Sequence, residues 1–246
     1  MKLGFPHSRL LTRLDRIVAF NDEDSSHISG LPMTVRNFAA ESEIVAEGAI
    51  LNKCCMVVDG FLYRHKSGDG AQRQIVSFHV PGDIPDLYSL HINPMDHSIS
   101  TLGSAVVAFI PHQPFREMLA KSPRLTDIFW RETLVDASLF REWVVNIGTR
   151  DALARIAHLI CELEMRLRVV GLAPDHTFSF PGSQTHIADA CGISPIHANR
   201  MIQELRSRRL IEWEGKTIRI LDWNRLVEIA DFDPAYLHLR DRALVS

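Results

Sequence analysis

The sequence predicts an α+β chain in which an antiparallel β-barrel or sandwich comes first, a long helix follows, and a helix pair with a β-hairpin closes the fold. Three observations carry this prediction. From about Met33 to Pro111 the apolar runs are short and broken by Gly, Pro and Asp; from Pro123 to about Ile147 they turn helical; and from Ser183 to Arg209 the chain reads SQTHIADACGISPIHANRMIQELRSRR. With 246 residues, 46% of them hydrophobic, the chain can bury a core in each of two domains.

The start, MKLGFPHSRLLTRLDRI, lacks the apolar centre and small-residue cleavage site of a secretion signal. No run approaches the roughly 18 apolar residues of a membrane span, so a cytoplasmic location without a membrane partner is expected. The strand segments are VRNF, EIVAEG, KCCMVVDGFLYRHK, GDGAQRQIVSFHVPGD and ISTLGSAVVAFIP. Short runs at this spacing argue for antiparallel pairing. Cys54 and Cys55 are adjacent on one strand and so point to opposite faces, while Cys161 and Cys191 lie in the helical half. No two cysteines have metal-site spacing, which favours buried, inert thiols and no bound metal.

A short helix is expected from Pro114 to Leu119, before the long one. On the long helix Leu125, Ile128, Phe129, Val135, Leu139, Phe140, Trp143 and Ile147 form one face, and Trp130, Leu134, Ala137 and Val144 form another. A helix apolar on two sides needs two covers, and a small β-domain supplies one. A second copy of the chain is the expected second cover, with Ile128, Val135, Leu139 and Trp143 along the dimer helix; the other arrangement is a helix enclosed in one larger domain. Asn146, Gly148 and Thr149 then interrupt the pattern as a hinge, with Thr149 the expected N-cap of the helix that starts RDALARIAHLI.

In the closing segment Ile187, Ala188 and Ala190 give the first short helix a packed face, Gly192 stands at the turn and Ile193 plugs the corner. Ser194 caps the second helix, Pro195 takes its first position, and Ala198, Met201, Ile202 and Leu205 repeat on one side. The opposite side carries Ile196, Arg200, Gln203 and Ser207, flanked by His197 and Asn199, types that can meet base edges or phosphates. LIEWEGKTIRIL follows as a hairpin with Lys216 at its tip and Arg219 on its return strand, the layout of a winged helix-turn-helix. The net charge of −3 does not favour nucleic acid, but from Pro195 to Leu221 the basic Arg200, Arg206, Arg208, Arg209, Lys216 and Arg219 face only Glu204, Glu212 and Glu214. The tail, DWNRLVEIADFDPAYLHLRDRA, is expected to form an amphipathic helix and an anchored end, with Leu226, Ile229, Phe232 and Tyr236 packing on the winged helix.

Strands, two-faced helix, hinge, helix-turn-helix and wing stand here in an order that resembles the Crp/Fnr superfamily of bacterial transcription regulators. VVDGFLYRHK, VSFHVPGD, RIAHLI and EGKTIRI resemble the family's motifs locally and together span nearly the whole chain. The resemblance implies a cyclic-nucleotide-binding-like β-roll sensor domain over residues 1–120, a dimerisation helix and hinge over 121–148, and a winged helix-turn-helix domain with a helical tail over 149–246. It implies a homodimer that places two recognition helices on a near-palindrome of double-stranded DNA, with RNA polymerase a candidate partner. Carried over by position, the base-reading residues are Pro195, Ile196 and Arg200, of which Arg200 alone keeps the family's type; His197, Asn199 and Gln203 are further readers. Ser183, Gln184, Thr185, Arg206, Lys216 and Arg219 are the expected phosphate contacts.

The sensor half departs from the family. PGDIPDLYSLHINPMDHSIS lacks the Gly-Glu and Arg-Ser pairs that hold a cyclic phosphate, and Asp96, His97 and Ser98 stand at about the place of the clamp. With Asp83 and Asp86 near by, the pocket would repel a phosphate, so cyclic AMP is not expected and no cofactor is implied. The N-terminal segment also lacks the cysteines of the oxygen-sensing branch. Asp83, Asp86, His91, Asp96, His97 and Ser98 remain as an effector pocket of unassigned ligand. A regulator responsive to a ligand or to redox state is the alternative. More remote is a cupin-like metal enzyme built on the same Asp and His residues; cupins resemble a Gly followed by His-x-His, whereas Gly82 here is followed by His91-Ile92-Asn93, so no catalytic residue is expected.

Overall fold

The computed structural model describes residues 5–68 and 73–240; the first expected turn of GDGAQRQIV and the end of the tail therefore lie partly outside the described residues. Two helices, α1 (Phe5–Asp15) and α2 (Asp22–Ser29), precede the strands, and the strand pattern gave no hint of them. The local signal was present at α2: Asn21 Oδ1 accepts from Asp24 N at 2.7 Å and the Asp24 carboxylate accepts from Asn21 N at 3.2 Å, a reciprocal cap.

Seven strands follow: β1 (Thr34–Phe38), β2 (Glu43–Val45), β3 (Lys53–Asp59), β4 (Leu62–Ser67), β5 (Arg73–His79), β6 (Ser98–Thr101) and β7 (Ala105–Pro111). They form two antiparallel sheets, ordered β1-β7-β3 and β2-β6-β4-β5. Cys54 and Cys55 do face opposite ways, Cys54 into a core shared with α1 and Cys55 into the core between the sheets. After β5, Gly82 has φ +100, and a Cβ there would lie 2.5 Å from the Cβ of Arg13; this turn of Pro81-Gly82-Asp83 closes directly on α1.

Helices α3 (His112–Lys121) and α4 (Pro123–Thr149) come next, α4 capped by Ser122 and opened by its proline. One apolar face of α4 is covered within the chain, except for Phe140, which was expected on that face and is exposed. Ile128, Val135, Leu139 and Trp143, expected on the seam between two copies, are buried within the chain, because the β-roll and the helical half press on that side. Trp130, Leu134, Ala137 and Val144 are exposed instead. Thr149 is not the N-cap of α5 (Ala152–Val169): α4 runs through it, its hydroxyl donates to Val145 O at 2.8 Å, and Asp151 caps α5 by accepting from Ala154 N at 2.9 Å. A carboxylate at that end also meets the positive pole of the helix, which a hydroxyl does not.

The last part holds β8 (Thr177–Ser179), α6 (Gln184–Cys191), α7 (Pro195–Ser207), β9 (Ile211–Glu214), β10 (Thr217–Ile220) and α8 (Trp223–Ala230). The wing has three strands, β8-β10-β9, rather than the two expected. Leu226, Ile229, Phe232 and Tyr236 join the core of this half, as the tail's pattern suggested. Among the described residues no helix is long and apolar enough to cross a membrane.

The two halves touch closely. Strand β5 grips α6: Arg73 Nε donates to Asp189 Oδ2 at 2.9 Å, and Gln74 Nε2 donates to Asp189 O at 2.6 Å. A Cβ on Gly103 would lie 2.6 Å from Pro181, so only glycine permits this approach.

Candidate nucleic-acid interface

The helix pair is set by local chemistry. Gly192 takes φ +63, the left-handed turn that a residue without Cβ adopts freely, and Ser194 Oγ accepts from His197 N at 3.2 Å to start α7. Ala198, Ile202 and Leu205 are buried, which turns the opposite side of α7 to solvent.

That side carries the expected readers. Pro195, Ile196, Asn199, Arg200 and Gln203 are exposed and His197 is half-buried. They are not equally free. Asn199 Nδ2 donates to Gln184 Oε1 at 2.6 Å, and Arg206 Nη1 donates to Gln203 Oε1 at 3.2 Å. Arg200 has no hydrogen-bond or ion-pair partner among the described residues, and Ile196 is 85% exposed.

The expected phosphate residues surround this helix. Ser183, Gln184, Gln203 and Arg206 line one groove between the start of α6, α7 and the wing, with Trp213 as its wall. Ser183 Oγ is engaged by His186 Nδ1 at 2.9 Å, which also accepts from Ser183 N at 3.1 Å; a histidine thus completes the cap of α6. Thr185 is exposed beside it. Lys216 stands exposed at the wing turn, while Arg219 lies 3.7 Å from Glu212 across the hairpin, an exposed pair that a phosphate can displace. The start of α6 and the later turns of α7 thus line one groove beside the wing turn with polar side chains.

The expected effector pocket is not assembled. Asp83 is buried against two guanidinium groups, Arg13 Nε at 2.9 Å and Arg166 Nη2 at 2.7 Å, and they hold its carboxyl well below the usual range against the opposing effect of burial. Asp86 points elsewhere, accepting from Cys55 N at 2.8 and 3.0 Å, and burial pushes it up to about 7. His91 is exposed. Asp96 is also exposed and accepts from Tyr88 Oη at 3.1 Å and from His97 at 2.9 Å; burial lowers His97 to about 4. Ser98 Oγ accepts from Glu47 N at 3.0 Å. Of the six, Asp83, Asp86, His97 and Ser98 are buried and each holds its own partners, while His91 and Asp96 are exposed.

What lies beneath α4 is a cavity of about 40 Å³, lined by Arg13, Arg64, Arg166, Asp83, Glu132 and Asp136 among others. Arg64 Nη1 donates to Asp136 Oδ2 at 2.7 Å, and Arg166 Nη1 donates to Glu162 Oε1 at 3.0 Å. The acidic pocket expected here is thus a balanced network of ion pairs, because Arg13 and Arg166 arrive from elements distant in sequence. All four cysteines are buried; burial raises Cys54, Cys55 and Cys161 well above the ordinary thiol value and Cys191 to about 12. Among the described residues no group of three or more His, Cys, Asp or Glu is arranged to hold a metal ion.

Two family profiles match the chain. A cyclic nucleotide-binding domain covers residues 35–122, and a Crp-like helix-turn-helix domain covers 154–229. The chain is 24% identical over 202 residues to the transcriptional activator protein FnrL of Cereibacter sphaeroides, covering 80% of this chain and 81% of that protein. It is 25% identical over 213 residues to the transcriptional activator protein Anr of Pseudomonas protegens, covering 81% and 87%. The structure of FixK2 from Bradyrhizobium japonicum superposes with a TM-score of 0.72 at 21% identity, over 81% of this chain and 98% of that one.

Proposed function

Since the chain belongs to the Crp/Fnr superfamily of transcription regulators and carries its DNA-binding helix-turn-helix, we propose that it acts as a homodimer on a near-palindromic site, in the cytoplasm and without catalysis. The observation that carries the dimer is the exposed face of α4. Trp130, Leu134, Ala137 and Val144 recur at spacings of four, three and seven residues, the seam of a two-stranded coiled coil, and Trp130 is 62% and Val144 57% exposed. Pairing two copies across this stripe gives that face the second cover that the sequence demands. In this reading the dimer carries its two α7 helices at the spacing that half-sites about one helical turn apart require.

Within each half-site we assign base contacts to α7 through Pro195, Ile196, His197, Asn199, Arg200 and Gln203. Phosphate contacts fall to Ser183, Gln184, Thr185, Arg206, Lys216 and Arg219. Arg200 is the strongest of these assignments, because a guanidinium held by no internal partner can give two parallel hydrogen bonds to guanine O6 and N7. RNA polymerase is the partner through which such binding alters transcription. Cyclic AMP has no part in this reading: the cavity beneath α4 is about 40 Å³, and the charged side chains that line it are paired with one another. Selection of fragments from a random DNA pool by the purified protein tests the proposal. It should return one sequence with twofold symmetry; asymmetric or unselected DNA would overturn the dimeric reading.

A further inference from the structure

We propose that Ile196 reads the 5-methyl group of a thymine lying within about two base pairs of the guanine held by Arg200. The proposal rests on the assignment of α7 as the recognition helix. Ile196 is the second residue of α7 and, at 85%, the most exposed large apolar side chain among the described residues. Its neighbours on the same face are less free in the unbound protein. Asn199 is bonded to Gln184, Gln203 to Arg206, His197 is half-buried, and Pro195 offers neither a side-chain donor nor an N–H. Two unengaged groups of opposite character remain on one face, a guanidinium and a branched hydrocarbon.

They stand four residues apart, which on a helix is one turn and about 6 Å of rise, close to two base steps of roughly 3.4 Å. Ile196 has no hydrogen-bonding atom. Pressed against the major-groove edge of G, C or A it would strip water from donors and acceptors and replace nothing. The thymine 5-methyl is the apolar group that edge displays, so burial of the side chain favours T at that position and leaves Arg200 to specify G near by.

The test uses full-length protein and the half-site chosen from the random pool. Each thymine is replaced in turn by deoxyuridine, which removes only the methyl group, and Kd is measured by fluorescence anisotropy at fixed salt for wild type and Ile196→Ser. The substitution is at an exposed site, and equal melting temperatures confirm that both proteins are folded. One position per half-site should lose about fourfold in affinity with deoxyuridine, the equivalent of roughly 0.8 kcal/mol for a buried methyl-sized group, and Ile196→Ser should bind both duplexes alike. If the wild type selects no sequence, the recognition-helix assignment falls and this proposal with it. If it selects a half-site with no thymine within two base pairs of the guanine, or one whose uridine penalties are equal in wild type and Ile196→Ser, the thymine assignment alone falls.

Discussion

At the residue scale, the reading surface divides by what each side chain already holds. Arg200 is unengaged and is assigned to a base, so Arg200→Ala should weaken operator binding and relax preference at one base pair per half-site, at a cost of roughly 1–3 kcal/mol per contact. Lys216, at the wing turn, is assigned to phosphate, and on that assignment Lys216→Ala should weaken binding to all sequences and lower the slope of affinity against salt by about one per subunit. Competition titrations at several salt concentrations separate the two outcomes. A second residue governs stability with pH. His158 is buried, stacked on Tyr236 with ring centroids 5.8 Å apart and edge-on to Phe232. Burial first and Arg150 second lower it to about 3; Glu142, 3.2 Å away, is already paired with Arg150 at 2.8 Å and cannot hold the proton in place. Above the unfolded value of about 6.5 both states are neutral and its contribution is complete. As pH falls from there toward 3, the unfolded chain takes a proton that the folded one refuses, and stability is lost. His158→Phe, which keeps a flat ring in the same stack, should lose about 2 kcal/mol less than the wild type between pH 7 and pH 5 in urea unfolding. His158 was one of the sequence's 12 histidines and nothing in RIAHLI marked it; its partners come from a tail more than seventy residues on.

At the scale of elements, those with their own signals were readable. Helix α7 runs from Pro195 to Ser207 with Ser194 as its cap, as the residues indicated, and the strand-Gly-strand turn at Gly60 and the wing turn at Gly215 stand where the pattern put them. Helix α1 and strand β8 were missed, and α2 was missed in spite of its capping pair, because all three are short and their stability comes from docking on the rest of the fold. Helix α4 is the instructive case. Periodicity separated its two faces, with Phe140 put on the wrong one, but could not say which the chain covers itself, since both are apolar. A polar residue on the exposed face should therefore act on assembly and spare the fold: Leu134→Asp is expected to sediment as a folded monomer and to lose tight binding to the two-half-site duplex. The same change at Leu139, which packs in the chain's own core, should unfold it. Sedimentation together with circular dichroism checks both.

At the scale of the whole molecule, the sensor half and the DNA-binding half are joined by buried charge. Asp83 of the β-roll, Arg166 and Glu162 of α5, Trp143 of α4 and Tyr236 of the tail form one connected path, with Trp143 Nε1 donating to Glu162 at 3.0 Å and Tyr236 Oη donating to it at 2.9 Å. Removing Arg166 would take away the guanidinium shared by two buried carboxylates, leaving Glu162 without a cationic partner and Asp83 with the Arg13 guanidinium alone. Arg166→Met should cost about 3–5 kcal/mol in denaturant unfolding, whereas Arg208→Met, at an exposed pair with Glu204, should cost less than about 0.5 kcal/mol. Beyond the path, the tail runs on past the DNA-binding half, and Arg240 N donates to Arg16 O at 2.8 Å beside α1. The sequence alone determined the α+β order, the helix pair, the wing and the face of α7 that is left to solvent, because caps, turn glycines and helical spacing act within a few residues and leave local traces. Only the tertiary structure decided that the acidic sensor residues scatter or are neutralised, that one apolar face of α4 is taken and the other left open, and that the tail closes over the hinge. Those outcomes depend on which distant groups meet, and a charge or an apolar stripe carries no mark in sequence of the partner that will cover it.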